Sequence, residues 1–225
     1  MMKQLSVMLL LGVLFGLMFF SCKPKEDSSF SDQINTVVPK WAIDSVRRNG
    51  MILYEGKTPP SFEGFFFQAP HHLTGSNLSG DKIGEEFQEY TYGFLNQNNQ
   101  ALTVDMKGKS ENGLDNFIGS GAFVSGNGNH FTVFLESNGK TESFGSVASY
   151  QAFQIFSGEI TSTGVRNLQN AFILTNKDDP DRILIVSGGC RVFKDSDGFS
   201  ERTAGFRQSR VSKSTLLSQT MVMSH

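Results

Sequence analysis

The chain has 225 residues, 38% hydrophobic, 12% aromatic and 19% charged, enough apolar mass for one buried core and too little bias for a collagen-like or disordered chain. Lys and Arg number 20 against 22 Asp and Glu, a formal charge of −2. That balance lacks the basic footprint that phosphate-backbone binding requires, so nucleic acid is not an expected partner. The 21 Phe and 23 Gly beside 1 Trp and 2 Cys suit short aromatic strands joined by glycine turns.

Lys3 and an apolar stretch over 5–20, broken only by Ser6, Gly12 and Gly16, read as a targeting segment rather than as fold. As a helix that stretch measures about 24 Å against a hydrocarbon core of about 30 Å, so a permanent span is not expected. Ser21-Cys22 follows, then the charged run Lys23-Pro24-Lys25-Glu26-Asp27. This junction resembles the lipobox of bacterial lipoproteins, with Phe19 and Phe20 where Leu and Ala or Ser are commoner. The resemblance implies a signal peptide over 1–21, a diacylglyceryl (palmitate-type) lipid on Cys22 and acylation of the new amino terminus. At about 0.8 kcal/mol per buried CH₂, two or three acyl chains anchor a domain firmly at a membrane. Lys23 is not the Asp of inner-membrane retention, which points to the outer membrane. The Lys-Pro-Lys-Glu-Asp run resembles tethers that carry some Bacteroidetes lipoproteins to the cell surface, leaving the periplasmic face and the surface both open. With Cys22 lipidated, Cys190 is the one remaining thiol. It has no neighbouring His or Cys in Ser187-Gly188-Gly189-Cys190-Arg191 and reads as a small core residue.

Residues 22–37 are polar and read as a flexible tether; the domain is expected over 38–225. A short capping helix is expected over 39–49, with Pro39 in its first turn, Trp41 and Val46 among its apolar positions, Arg47 and Arg48 in its last turn and Gly50 past its end. From Phe62 the pattern turns to period two, with turn residues every ten positions or so. Strands are expected over 62–68, 86–95, 101–107, 117–124, 130–137, 147–161, 169–175, 183–186 and 190–194, and turns at 96–99, 126–129, 137–139 and 178–181. His71-His72 after Pro70 is expected in a loop. With no helices alternating with strands, the fold class is all-β: an antiparallel meander forming a barrel or strongly curved sheet, with a two-sheet sandwich as the alternative. Glu63-Gly64-Phe65-Phe66, the helix before it and the chain of hairpins resemble the lipocalin-like domains of Bacteroidetes lipoproteins over 61–201, with Phe66 where that family's Gly-x-Trp opening has Trp. The resemblance implies a small barrel and carries over no ligand residues.

After Glu201 come Arg202, Arg207, Arg210 and Lys213 without an acid: a solvated basic stretch or a contact with anionic lipid or glycan, with a last strand expected over 209–222. Asp195-Ser196-Asp197-Gly198 fails the EF-hand spacing, since positions 1 and 12 fall on Phe193 and Ala204. Glu85 and Glu86 point to opposite strand faces and make no glycosidase pair. Four scattered His make no metal spacing, and no nucleophile elbow or phosphate loop occurs. No cofactor or metal is expected, and a hydrolase assembled from separated acids is the minor alternative. Phe65 and Phe67 share one face of their strand, with Phe66 on the other. The candidate ligand-facing aromatics are Phe65, Phe67, Tyr150, Phe153, Phe156 and Phe172, with Phe193 as a further barrel filler. The expected role is a non-enzymatic envelope binding protein for an apolar small molecule or glycan; the alternative is a structural protein that docks an outer-membrane partner.

Overall fold

The structure, a computed structural model, describes residues 29–207. Two short helices come first, α1 (Asp32–Val37) and α2 (Lys40–Arg48). Eleven ladder segments follow: β1 (Gly64–Gln68), β2 (His71–Ser76), β3 (Glu86–Phe87), β4 (Tyr90–Asn98), β5 (Thr103–Ser110), β6 (Asp115–Asn127), β7 (His130–Ser143), β8 (Ser146–Ile160), β9 (Gly164–Asp178), β10 (Cys190–Asp195) and β11 (Phe199–Thr203).

From β4 to β9 each segment pairs antiparallel with the next, a plain meander. The registers show that three pairs of segments are collinear. Phe65 and Phe67 face Thr203 and Glu201, and farther along the same two lines His71 and Ser76 face Asp195 and Arg191. Thus β1 with β2, and β10 with β11, each form one interrupted strand; β3 with β4 does the same against β1 and β2. Because β11 pairs with both β1 and β9, the sheet curls back on itself. The ring closes only in part and is not a clean barrel. Its interruptions fall side by side at 69–70, 88–89 and 196–198, with Asn167 of β9 in the left-handed region (φ 51°) beside the last of them. This crease is stitched: Asn167 N donates to Gly198 O at 2.9 Å and Ser196 N to Pro70 O at 3.0 Å.

Alternation sorts the side chains to two faces. The interior is filled by Phe62, Phe66, Tyr92, Phe94, Phe117, Phe131 and Phe156 with Val, Leu and Met between them. Phe62 closes one end: the chain over 51–62 rounds the rim, Ile52 N donates to Gln169 Oε1, Tyr54 N donates to Thr132 Oγ1, and the Phe62 ring stacks on Phe131 at 4.2 Å. On the outer face Ile34, Ala42, Ile43 and Val46 of the helices cover Phe134, Phe153, Ile155, Ile173, Val192 and Cys190. Cys190 is a buried free thiol, as its surroundings in sequence suggest.

Five expectations are corrected. Residues 30–37 are not tether, because Phe30, Ile34 and Val38, one turn apart, are buried and Ser31 caps α1 by accepting from Ile34 N. His71-His72 is not in a loop but opens β2, whose backbone finds β10 as partner. Ser137-Asn138-Gly139 is not a turn. It lies inside β7, which pairs with β8 without a break, and Gly139 is required because the Tyr150 ring lies where a Cβ would stand. Residues 183–186 form no strand; the expected 86–95 strand is divided at the crease. The 1–21 segment, Cys22, Arg210, Lys213 and the strand expected over 209–222 lie outside the described residues.

Candidate functional site

The end of the ring opposite Phe62 holds a pocket of about 180 Å³. Its wall is built by strand alternation. Tyr90 and Tyr92, two apart on β4, stack with parallel rings 5.5 Å apart. Phe172 of β9 meets Tyr150 of β8 edge to face at 5.3 Å. Across the crease Phe87 and Phe193 contribute a further pair of rings at 5.1 Å. The loop between β9 and β10 forms the remaining side, with Leu184 and Ile185 packed against Tyr150, Ala152 and Leu174. That loop is held by Asp179, whose carboxylate accepts from Ile183 N at 2.8 Å, Leu184 N at 3.0 Å and Lys177 Nζ at 2.8 Å.

The polar groups in this wall are few and fixed. Asp115, the first residue of β6, accepts from Tyr150 Oη at 3.0 Å. Burial pushes its carboxyl above the usual range, while hydroxyl donors from Tyr150, Thr141 and Tyr90 pull the other way. Burial, with Asp115 alongside, raises the Tyr90, Tyr92 and Tyr150 phenols, so all three stay protonated. Gln154 donates from Nε2 to Ser137 Oγ at 3.0 Å. The buried His71 has Nδ1 2.9 Å from Gln88 O and Nε2 3.0 Å from Asn170 Oδ1. A carbonyl only accepts, so Nδ1 carries the proton. Burial lowers the imidazole pKa, and the neutral ring is served when the Asn170 amide presents its NH₂ group to Nε2. With both nitrogens occupied, His71 holds structure and does not stand ready as a base. Arg191 is neutralised by Asp81 through bonds of 2.8 and 2.7 Å, and its guanidinium lies 5.0 Å from the Phe87 ring centre. Among the described residues no group of three or more His, Cys, Asp or Glu is placed to hold a metal ion. Rings, amides and one carboxylate are groups that can stack on and hydrogen-bond a small molecule.

Of the aromatics singled out in the sequence, Tyr150 and Phe172 line this pocket. Phe156 does not; it is fully buried in the core, 4.9 Å from Tyr92. Phe65 and Phe67 lie on the outer face, since Phe66 takes the interior: Phe65 packs with Phe206 and Lys107, and Arg207 lies 4.0 Å above Phe67. Arg202 lies 4.7 Å from the Phe66 ring centre and bonds Glu63 O, so this part of the basic stretch packs on the sheet. Phe153 sits under α2 against Trp41 at 5.8 Å. Phe193, expected as a barrel filler, lines the pocket. Sequence reasoning missed Tyr90, Tyr92, Asp115, Gln154, His71 and Asn170 as pocket residues. The Tyr90-Thr91-Tyr92 alternation signals a shared face, but nothing local tells that Asp115 and Asn170 reach it.

A second concavity of about 520 Å³ is an open groove over β6 to β9, lined by Asn116, Ile118, Asn138, Lys140, Gln151 and Asn176 among others. Its amides bond one another, Gln151 to Asn138 at 3.3 Å and Asn176 to Gln151 at 3.4 Å. No family model, curated protein or solved structure matches the chain.

Proposed function

We propose that this chain is a lipid-anchored lipoprotein of the bacterial outer membrane, a lipocalin-like domain that binds a compact small molecule in the pocket beside Tyr150 and performs no chemistry on it. One observation supports this most. The ring interior is packed with phenylalanine, yet at one end the rings of Tyr90, Tyr92, Tyr150 and Phe172 surround about 180 Å³ with Asp115 and Gln154 in the wall. Rings with a few convergent polar atoms suit an apolar ring molecule or one sugar unit, whose apolar face stacks while its polar edge is bonded. The anchor rests on Lys3, the apolar 5–20 stretch and Cys22 before Lys23.

Both parts are testable on the full chain expressed in a bacterium. Labelled palmitate should enter the wild type, and Cys22→Ala should abolish the label and release the protein from the membrane fraction. A panel of monosaccharides, small aromatic compounds and small alkylammonium ions is then screened by thermal shift and by tyrosine resonances. At least one should bind, and Tyr150→Ala should weaken it tenfold or more. Unlabelled wild type overturns the anchor; a panel without a hit, or a hit indifferent to Tyr150, overturns the pocket.

The reading as a protein that docks an envelope partner is favoured by one feature. Phe144 is wholly exposed at the tip of the β7–β8 hairpin, with the exposed Leu114 and Val147 at the same end of the strands. Scattered apolar residues are ordinary on a surface, but an aromatic ring at a hairpin tip is a contact feature.

A further inference from the structure

We propose that the ligand of the Tyr150 pocket is a small organic cation, an ammonium ion seated against Asp115 among the rings of Tyr90, Tyr92 and Tyr150. This deepens the binding reading above and rests on it. The charges that line the pocket are quickly accounted for. Arg191 already has Asp81 as counter-ion, in a two-pronged pair. Burial lowers the His71 pKa and outweighs the opposing bond to Gln88 O, so His71 supplies no positive charge here. Asp115 has only hydroxyl partners, from Tyr150 at 3.0 Å and from Tyr90 and Thr141, and no basic group acts on it. It is therefore the one carboxylate in this wall without a positive counterpart among the described residues.

A carboxylate held in aromatic surroundings is costly unless a cation joins it. Three hydroxyl donors offset part of that cost. A ligand offering only hydroxyls would add more of the same, whereas an ammonium supplies the missing charge. The rings point the same way, because the negative faces of Tyr90, Tyr92 and Tyr150 attract a cation whose alkyl groups also fill apolar space. The phenols stay protonated beside Asp115, so they compete neither for the proton nor for the charge.

The test compares choline with 3,3-dimethylbutan-1-ol, which has the same shape without the charge, and with glucose. Each is titrated by calorimetry into the full-length lipoprotein in detergent micelles at pH 7.5, with tyrosine resonances followed in parallel. Choline should bind at least tenfold more tightly than its neutral isostere. Asp115→Asn should lower choline affinity at least tenfold while leaving the isostere unchanged. The wild-type comparison of choline with the isostere needs no variant, so a misfolded Asp115→Asn would not obscure the result. If the isostere or glucose binds as well as choline, the cation is overturned while the pocket reading stands. If none of the three gives heat or moves a tyrosine resonance, the cation is overturned, and the wider panel decides the pocket separately.

Discussion

Phe144 and Gly145 join β7 to β8 with both φ angles positive, 50° and 83°. This is the two-residue turn whose twist matches a hairpin, and its favoured pair is Asn-Gly because the first position is left-handed. Phe there carries a steric cost and, being fully exposed, recovers nothing by packing. Phe144→Asn should therefore stabilise the chain by about 0.5–1 kcal/mol, seen as a higher urea midpoint at unchanged m-value. A lower midpoint would mean that the ring has a partner within the fold. The pocket residues teach a related lesson about legibility. Phe65, Phe66 and Phe67 visibly alternate in the sequence, but alternation alone does not tell which face is the interior, and the pair expected to face a ligand, Phe65 and Phe67, is the outer one. That depended on β1 being flanked by β4 and β11, pairings that span about thirty and more than a hundred residues.

Helix α1 is an element that cannot stand alone. Six residues fall well short of the length at which a helix holds itself in water, and Thr36 bonds only back to Asp32. What holds it is Phe30 edge to face with Phe134 at 5.3 Å and Ile34, fully buried, on the outer face of the sheet. Ile34→Ala should cost about 2–4 kcal/mol and speed hydrogen exchange of the α1 amides, while Thr36→Ala on the exposed side should change neither. Equal effects from the two would place the stability of α1 in its own hydrogen bonds. The spacing of Phe30, Ile34 and Val38 was present in the sequence but masked by the Ser, Asp and Asn between them, which read as linker. Most strands of the meander were legible because alternation and turn residues are local signals. The β2 strand was not, since His71-His72-Leu73-Thr74-Gly75-Ser76 has little strand propensity and owes its form to the ladder that β10 offers. For the same reason the loop over 179–189, which completes the pocket, carried an apolar run that looked like a strand and is instead fixed by the Asp179 side chain.

At the scale of the whole molecule the decisive feature is the crease, where three interrupted strands and Asn167 line up. No local pattern announces it, because it arises only when β10 and β11 return to β1 and β2. Two buried titratable groups sit on it and act with opposite sign. Asp195 is fully buried; its Oδ2 accepts from Ser200 Oγ at 2.7 Å and from Ala69 N at 3.2 Å, while Oδ1 has no partner among the described residues. Burial pushes this carboxyl up to about 7, with the Ser200 bond opposing and Asp197 adding to the rise. Its folded pKa thus lies above the unfolded value of about 3.9, so the native state binds the extra proton. The stability it contributes is fully present below about pH 4 and is lost as pH rises toward 7. His71 runs the other way: burial lowers its pKa, so the unfolded chain takes up a proton near pH 6.5 that the native ring resists, and stability is lost as pH falls below that. Asp195→Asn separates the two, because it removes the buried charge and leaves His71 untouched. Against wild type the variant should gain in urea midpoint at pH 8, gain less at pH 6 and show no advantage at pH 4, while its own profile should rise with pH through the His71 range. A variant weaker than wild type at pH 8 would show that the Ser200 and Ala69 donors fully compensate the charge. The crease would then be held together by an ionised Asp195 rather than strained by it.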